Sequence, residues 1–158
     1  MSLKEEVELL RQIPLFAQIE PARLKLLAFT SERLSYEPGQ VLCRQGDMGD
    51  AAYIVIEGTA DVLVNSANGP ITVATLGPND FVGEIAILCD VPRTATVQAV
   101  SRLVVLRIAK ELFFRLLSEF PSMAVTMLRE IAHRLEVTTT QLRGSVAEVQ
   151  ALRLAHPS

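Results

Sequence analysis

Glu84 and Arg93 are the two residues of this chain that most invite a chemical reading. They lie within the stretch Asp80 to Ala99, DFVGEIAILCDVPRTATVQA. Gly83 precedes the carboxylate, and without a Cβ its backbone tolerates the close approach of a ligand. The apolar run Ile85-Ala86-Ile87-Leu88 is long enough for one short helix opening at Glu84–Ile85. The first turn of such a helix leaves backbone N–H groups unpaired and partly positive, an arrangement that binds phosphate. Arg93 adds a planar fork of donors that stays charged and fits the same phosphate. Glu84 is then anomalous, because a carboxylate beside an anion site is unfavourable unless it accepts hydrogen bonds from something else. A sugar hydroxyl would serve, and phosphate plus hydroxyl describes a nucleotide-like ligand.

The same residues resemble the phosphate-binding cassette of cyclic nucleotide-binding domains. That pattern runs roughly F-G-E-hydrophobic-A, a short variable insert, then R-[TSA]-A-[TS]-[VA]. Gly83-Glu84 and Arg93-Thr94-Ala95-Thr96-Val97 match its two ends, and Phe81-Val82 departs slightly from the aromatic positions before the glycine. The resemblance implies that Glu84 holds the ribose 2′-hydroxyl. It implies that Arg93 and the backbone at Gly83, Ile85 and Ala86 hold the cyclic phosphate. A second stretch, Gly46-Asp47, Gly49-Asp50, Tyr53 and Gly58, resembles the glycine turns of the family's β-roll, and those glycines are read as setting turns only. A third, Arg134 to Thr140, is similar to the middle of the long dimer helix in the catabolite activator group, where two adjacent hydroxyl residues, one from each subunit, touch the adenine amino group. The matching pair is Thr138-Thr139. Thr94 leaves the base open, since a threonine after the arginine accompanies both cAMP- and cGMP-selective members. The expected ligand is cAMP, with cGMP as the alternative.

Composition agrees with a binding module. A chain of 158 residues, 49% apolar and 21% charged, suits one globular domain. A formal charge of −3 argues against nucleic acid as the main partner. No apolar run approaches the ~20 residues that span a bilayer. The charged, amphipathic start MSLKEEVELL is not a secretory signal, so a cytoplasmic location is expected. Cys43 and Cys89 are expected as buried free thiols rather than a disulfide.

The elements that must position the cassette follow from the apolar period. Leu3, Val7, Leu9 and Leu10 predict a helix over 3–12, stopped before Pro14, and Pro21 to Phe29 predicts a second. From Arg33 the period becomes two, and about eight short strands follow, separated by Gly, Pro, Asn and Asp clusters. This predicts an α+β chain built on an antiparallel β-roll or jelly roll. Residues 1–32 supply N-terminal helices, 33–109 the roll with its cassette at 80–99, and 110–155 a short hinge helix and a long C-terminal helix. In that helix Leu128, Leu135, Leu142 and Val149 fall seven apart. Ile131, Thr138, Ser145 and Leu152 form a second row three residues later. Such a heptad seam, longer than one barrel can cover, predicts a homodimer through the C-terminal helix. Gly144 is its weakest helical position.

The expected action is a switch. Phosphate capture draws 83–97 inward, the short helix around Phe113 follows, and the long helix closes over the base. Catalysis is not expected. His133 and His156 lie off the strands, so no metal-ligand set of the cupin kind exists, and neither paired carboxylates nor clustered cysteines occur. Asp47 and Asp50 lack the spacing of a calcium loop. The chain ends at Ser158 without the helix-turn-helix of the catabolite activators, so direct DNA reading is not expected. The output then requires an unknown effector protein. A degenerate module that only dimerises is the remaining alternative.

Overall fold

Two stretches of alternating residues with apolar side chains on both faces dictate how this chain layers. The computed structural model describes residues 3–13, 16–17 and 19–155. Strand β3 (Ala51–Glu57) sends Ala52 and Ile54 to one side and Ala51, Tyr53 and Val55 to the other, and all five are buried. Strand β8 (Leu103–Ala109) does the same, with Leu106 and Ile108 on one side and Leu103 and Val105 on the other. The two-residue period of a strand thus divides each between two cores. One core lies between the two sheets. The other lies between the first sheet and the helices.

The remaining strands are β1 (Glu32–Tyr36), β2 (Val41–Cys43), β4 (Ala60–Ser66), β5 (Gly69–Leu76), β6 (Phe81–Val82) and β7 (Thr96–Ala99). They form two four-stranded antiparallel sheets in the orders β1-β8-β3-β6 and β2-β7-β4-β5. The expected antiparallel roll of eight strands is what forms. Strand β7 is shorter than its alternation predicts, because Thr94 and Ala95 bend out of the ladder before Thr96.

Helices α1 (Leu3–Arg11) and α2 (Pro21–Thr30) bury Val7, Leu10, Leu24 and Leu27 on the helix-side core. Pro21 opens α2 at a position whose N–H has no intrahelical partner in any case. Pro14, whose ring was expected to stop the first helix, lies outside the described residues, as does His156. Helix α3 (Glu84–Leu88) falls where the short cassette helix was expected and α4 (Lys110–Glu119) where the hinge helix was expected. Phe113 of α4 stacks on Phe81 of β6, centroids 5.8 Å apart, which ties α4 to the strand leading into the cassette.

Helix α5 (Pro121–Ala155) is 35 residues long and continues through Gly144. It buries only its beginning, at Met123 and Met127, with Ile131 partly covered. Leu128, Leu135, Leu142 and Val149 are all exposed, the first two at 66%. At ~1.5 Å per residue the helix extends about 52 Å, and most of that length runs clear of the roll.

Candidate functional site

Helix α3 starts because Gly83 turns the chain in the left-handed region, at φ 93°, and serves as its N-cap. A Cβ there would lie 2.5 Å from Nη1 of Arg93, so the position needs glycine both for conformation and for space. Gly49 needs it for space alone. Its Cβ would fall 2.5 Å from that of Ala86, so the Gly46–Asp50 turn can lie directly against α3.

That turn also fixes the arginine. Gly46 N–H donates to the Arg93 carbonyl at 2.9 Å, and Arg93 N–H donates to the Asp47 carbonyl at 2.7 Å. The Arg93 side chain is buried. Nη2 donates to the Ala51 carbonyl at 2.8 Å and Nη1 to the Gly83 carbonyl at 3.1 Å. Asp50 Oδ1 stands 3.7 Å from Nη2, and the guanidinium carbon lies 5.6 Å from the centre of the Tyr53 ring. Two carbonyls, a carboxylate and an aromatic face therefore pre-set the fork, while part of its five-donor capacity is left over for an anion. Asp50 is held in turn by Arg107, whose Nη2 donates to Oδ2 at 2.9 Å. Burial alone would lower the Arg107 pKa, but the hydrogen bond and charge of Asp50 outweigh it and raise it. Burial raises Tyr53, with the Arg93 charge acting the other way.

Glu84 is 2% exposed. A carboxylate so deeply placed requires a partner. It has one in Arg134 of α5, whose Nη1 donates to Oε1 at 2.7 Å while Nη2 donates to the Phe81 carbonyl at 3.1 Å. The long helix is thereby fastened to the 80–99 stretch through a carboxylate that borders the cleft.

Gly83, Glu84, Arg93 and Arg134 line a cleft of about 100 Å³. Gly83, Glu84, Ile85, Ala86, Arg93 and Thr94 all border it. Its apolar wall comes from Val62 and Val82, with Cys43 beside them. Its lining thus includes the arginine and the first turn of α3. The rest offers a greasy surface for a flat group and a carboxylate for a hydroxyl. No cluster of metal-ligating side chains occurs among the described residues.

Within one chain Thr138 and Thr139 do not border the cleft: Thr138 is exposed, Thr139 half-buried, and α5 meets the cleft at Arg134. Thr138 lies one helical turn further along a straight helix, ~6 Å past that point. The reading that gives both threonines to the base takes one hydroxyl from each subunit and so concerns a pair of chains. The cysteines are less buried than expected. Cys43 is half-buried at the cleft, where burial raises its thiol pKa and the Arg93 charge opposes the rise. Cys89 is exposed, because α3 ends there and the chain turns outward through Asp90 at φ 53°.

Sequence reasoning missed Arg134, although it stands at the head of the Arg134–Thr140 segment. The available signal was the unexplained Glu84. A buried carboxylate demands a cation, and Arg134 sits on the helix expected to close over the ligand.

Comparison with known proteins points the same way as the geometry. The family described as "Cyclic nucleotide-binding domain" matches residues 33–120. The cAMP-dependent protein kinase regulatory subunit of Blastocladiella emersonii is 36% identical over 109 residues, covering 68% of this chain and 27% of that protein. The chain thus spans about a quarter of that relative's length. The crystal structure of the Thermus thermophilus catabolite activator protein superposes with a TM-score of 0.74 at 29% identity, over 82% of this chain and 62% of that one. The N-terminal domain of a Streptomyces coelicolor transcriptional regulator gives 0.65 at 32% identity, over 82% and 94%.

Proposed function

Since the chain belongs to the cyclic nucleotide-binding domain family, we propose that it is a cAMP-responsive switch which works as a homodimer and catalyses no reaction. One observation carries this reading. The buried Arg93 fork, the opening turn of α3 and the Glu84 carboxylate converge on a single cleft. That set suits a cyclic phosphate joined to a ribose. The apolar wall suits a base, and the regulatory-subunit relatives favour adenine.

The coupling runs through Arg134. A ribose hydroxyl donating to Glu84 must share that carboxylate with the guanidinium that fastens α5. Ligand occupancy is then felt at the long helix, and the ligand shifts the equilibrium by its differential affinity for the two arrangements. Phe113 stacked on Phe81 gives α4 the same information from the other side. The exposed seam of Leu128, Leu135, Leu142 and Val149 supports pairing of two long helices. In this reading the protein acts in the cytoplasm, on an effector protein that registers the helix movement.

A second reading, cGMP, is favoured by one feature. Thr94 borders the cleft and offers a hydroxyl to a guanine edge, whereas Thr138 and Thr139 of the same chain do not border it. Calorimetric titration of nucleotide-free protein with cAMP, cGMP and AMP tests both. Binding of cAMP at least tenfold tighter than cGMP, with none of AMP, is expected. The reverse order installs cGMP. Absence of any binding by folded protein leaves a module that only dimerises.

A further inference from the structure

We propose that Gln45 is a positioning residue of the cleft, filling the place that strand β7 leaves when it turns out of its sheet toward Arg93. The role rests on the nucleotide reading above and concerns how that site is held. Strand β7 pairs with β4 from Ala99, opposite Ala60, back to Thr96, opposite Leu63. Continued two residues further, that register would set Thr94 opposite Asn65. The chain departs from it there. Thr94 and Ala95 bend away and border the cleft, with Arg93 just before them. A strand that peels from its neighbours leaves backbone groups on both sides without ladder partners.

Gln45 serves both sides. Its Oε1 accepts from the Asn65 N–H at 2.9 Å, where a backbone group of Thr94 would otherwise stand. Its own N–H donates at 2.9 Å to Oγ1 of Thr96, the last paired residue of β7. The amide carbonyl imitates the missing peptide, and the threonine hydroxyl supplies an acceptor that the bent backbone does not. The next two residues carry the contact along the arm. Gly46 N–H meets the Arg93 carbonyl, and the Asp47 carbonyl meets Arg93 N–H. Residues 45–47 therefore take over from the sheet, bond by bond, the segment that bears the guanidinium. Water would satisfy the exposed Asn65 amide equally well, but it would not tie the β4–β5 hairpin to the β2–β3 turn. That tie matters because a binding group works only when its support holds it within about 0.5 Å of the productive geometry.

The test uses the whole chain. Gln45→Met keeps the length of the side chain and loses the acceptor. Thr96→Val keeps the shape and loses the hydroxyl, and Thr96→Ser keeps the hydroxyl. Thr75→Val removes the bond to Asp61 elsewhere on the hairpin and controls for general loosening. Circular dichroism certifies the fold of each. Solvent exchange of the Arg93 Nε–H proton is followed by NMR in nucleotide-free protein, and cAMP affinity by calorimetry. Exchange about fivefold faster and affinity about fivefold weaker are expected in both Gln45→Met and Thr96→Val. Thr96→Ser and Thr75→Val should change either quantity by less than about twofold. Unchanged exchange in Gln45→Met overturns the proposal. So does unchanged affinity in that variant, or an equal loss in Thr75→Val, which would make Gln45 a general prop of the hairpin. A parent that binds neither cAMP nor cGMP refutes the nucleotide reading instead, and the exchange rates alone then decide whether Gln45 holds Arg93.

Discussion

Nη1 of Arg134 lies 2.7 Å from Oε1 of Glu84, across a sequence separation of 50 residues. The pair is asymmetric. The carboxylate is buried, and the arginine side chain is half exposed. Solvent screening makes the attraction itself modest, but removing the arginine leaves the buried carboxylate without its charged donor. Arg134→Leu should therefore cost about 1–3 kcal/mol, the penalty of an unsatisfied buried acceptor. For a chain of this size each kcal/mol lowers Tm by roughly 2–4 °C. Adding Glu84→Gln should recover part of the loss. If the melting temperatures of the two single variants simply add in the double variant, the pair is not coupled.

Arg93→Lys keeps the charge and loses the fork. It should reduce cAMP affinity about a hundredfold, close to 2.7 kcal/mol. Arg93→Ala should abolish measurable binding in calorimetry. Circular dichroism must show both variants folded, because the guanidinium also serves the Ala51 and Gly83 carbonyls. Affinity within threefold of the parent in the lysine variant would remove bidentate phosphate capture from the mechanism.

Gly83→Ala and Gly46→Ala form a matched comparison. Both glycines have φ near +90°, so both alanines are strained, by roughly 1–2 kcal/mol. Only the Cβ at 83 meets Nη1 of Arg93, while that at 46 meets nothing within 4 Å. Similar losses of Tm are expected, with nucleotide affinity falling much further in Gly83→Ala. Equal affinities would mean that the arginine is free to shift.

Cys43 offers a reading of pH and occupancy together. Its thiol borders the cleft, and burial raises its pKa. Alkylation by iodoacetamide should be slower than at exposed Cys89, with its rise displaced toward higher pH. Saturating cAMP should protect Cys43 and not Cys89. The raised value also makes a stability statement. A thiol that holds its proton more tightly when folded contributes stability that is present below the unfolded pKa and lost as pH rises through the folded one. Tyr36 and Tyr53 are raised by burial too and act in the same direction. Melting temperature should therefore fall above about pH 9, progressively through the cysteine and tyrosine ranges. A flat profile to pH 11 contradicts this.

The seam of α5 gives the simplest assembly test. Leu135→Glu combined with Leu142→Glu places charges at two exposed heptad positions. Sedimentation should shift from dimer to monomer with the Tm of each chain little changed. A monomeric parent would remove dimerisation from the switch.

Much of this protein is legible in its residues taken in order. The change of period at Arg33 announces the roll. The unbroken apolar run Ala52–Ile56 announces a buried strand, and the heptad rows announce a helix longer than its domain. The cassette is legible because its chemistry is local: Gly83, Glu84 and Arg93 fall within eleven positions, and the short helix between them is set by backbone geometry. What only tertiary structure decides is which distant groups complete that local site. The partner of Glu84 comes from α5, one of the carbonyls that steady Arg93 comes from Ala51, and the two threonines proposed for the base stand a turn beyond the cleft of their own chain. These are questions of where a straight helix crosses a sheet edge, and that crossing depends on the summed packing of Met123, Met127, Phe113 and Phe81. Periodicity specifies which face of a helix is buried, but how far along its axis it meets a given carboxylate is fixed only when the core closes.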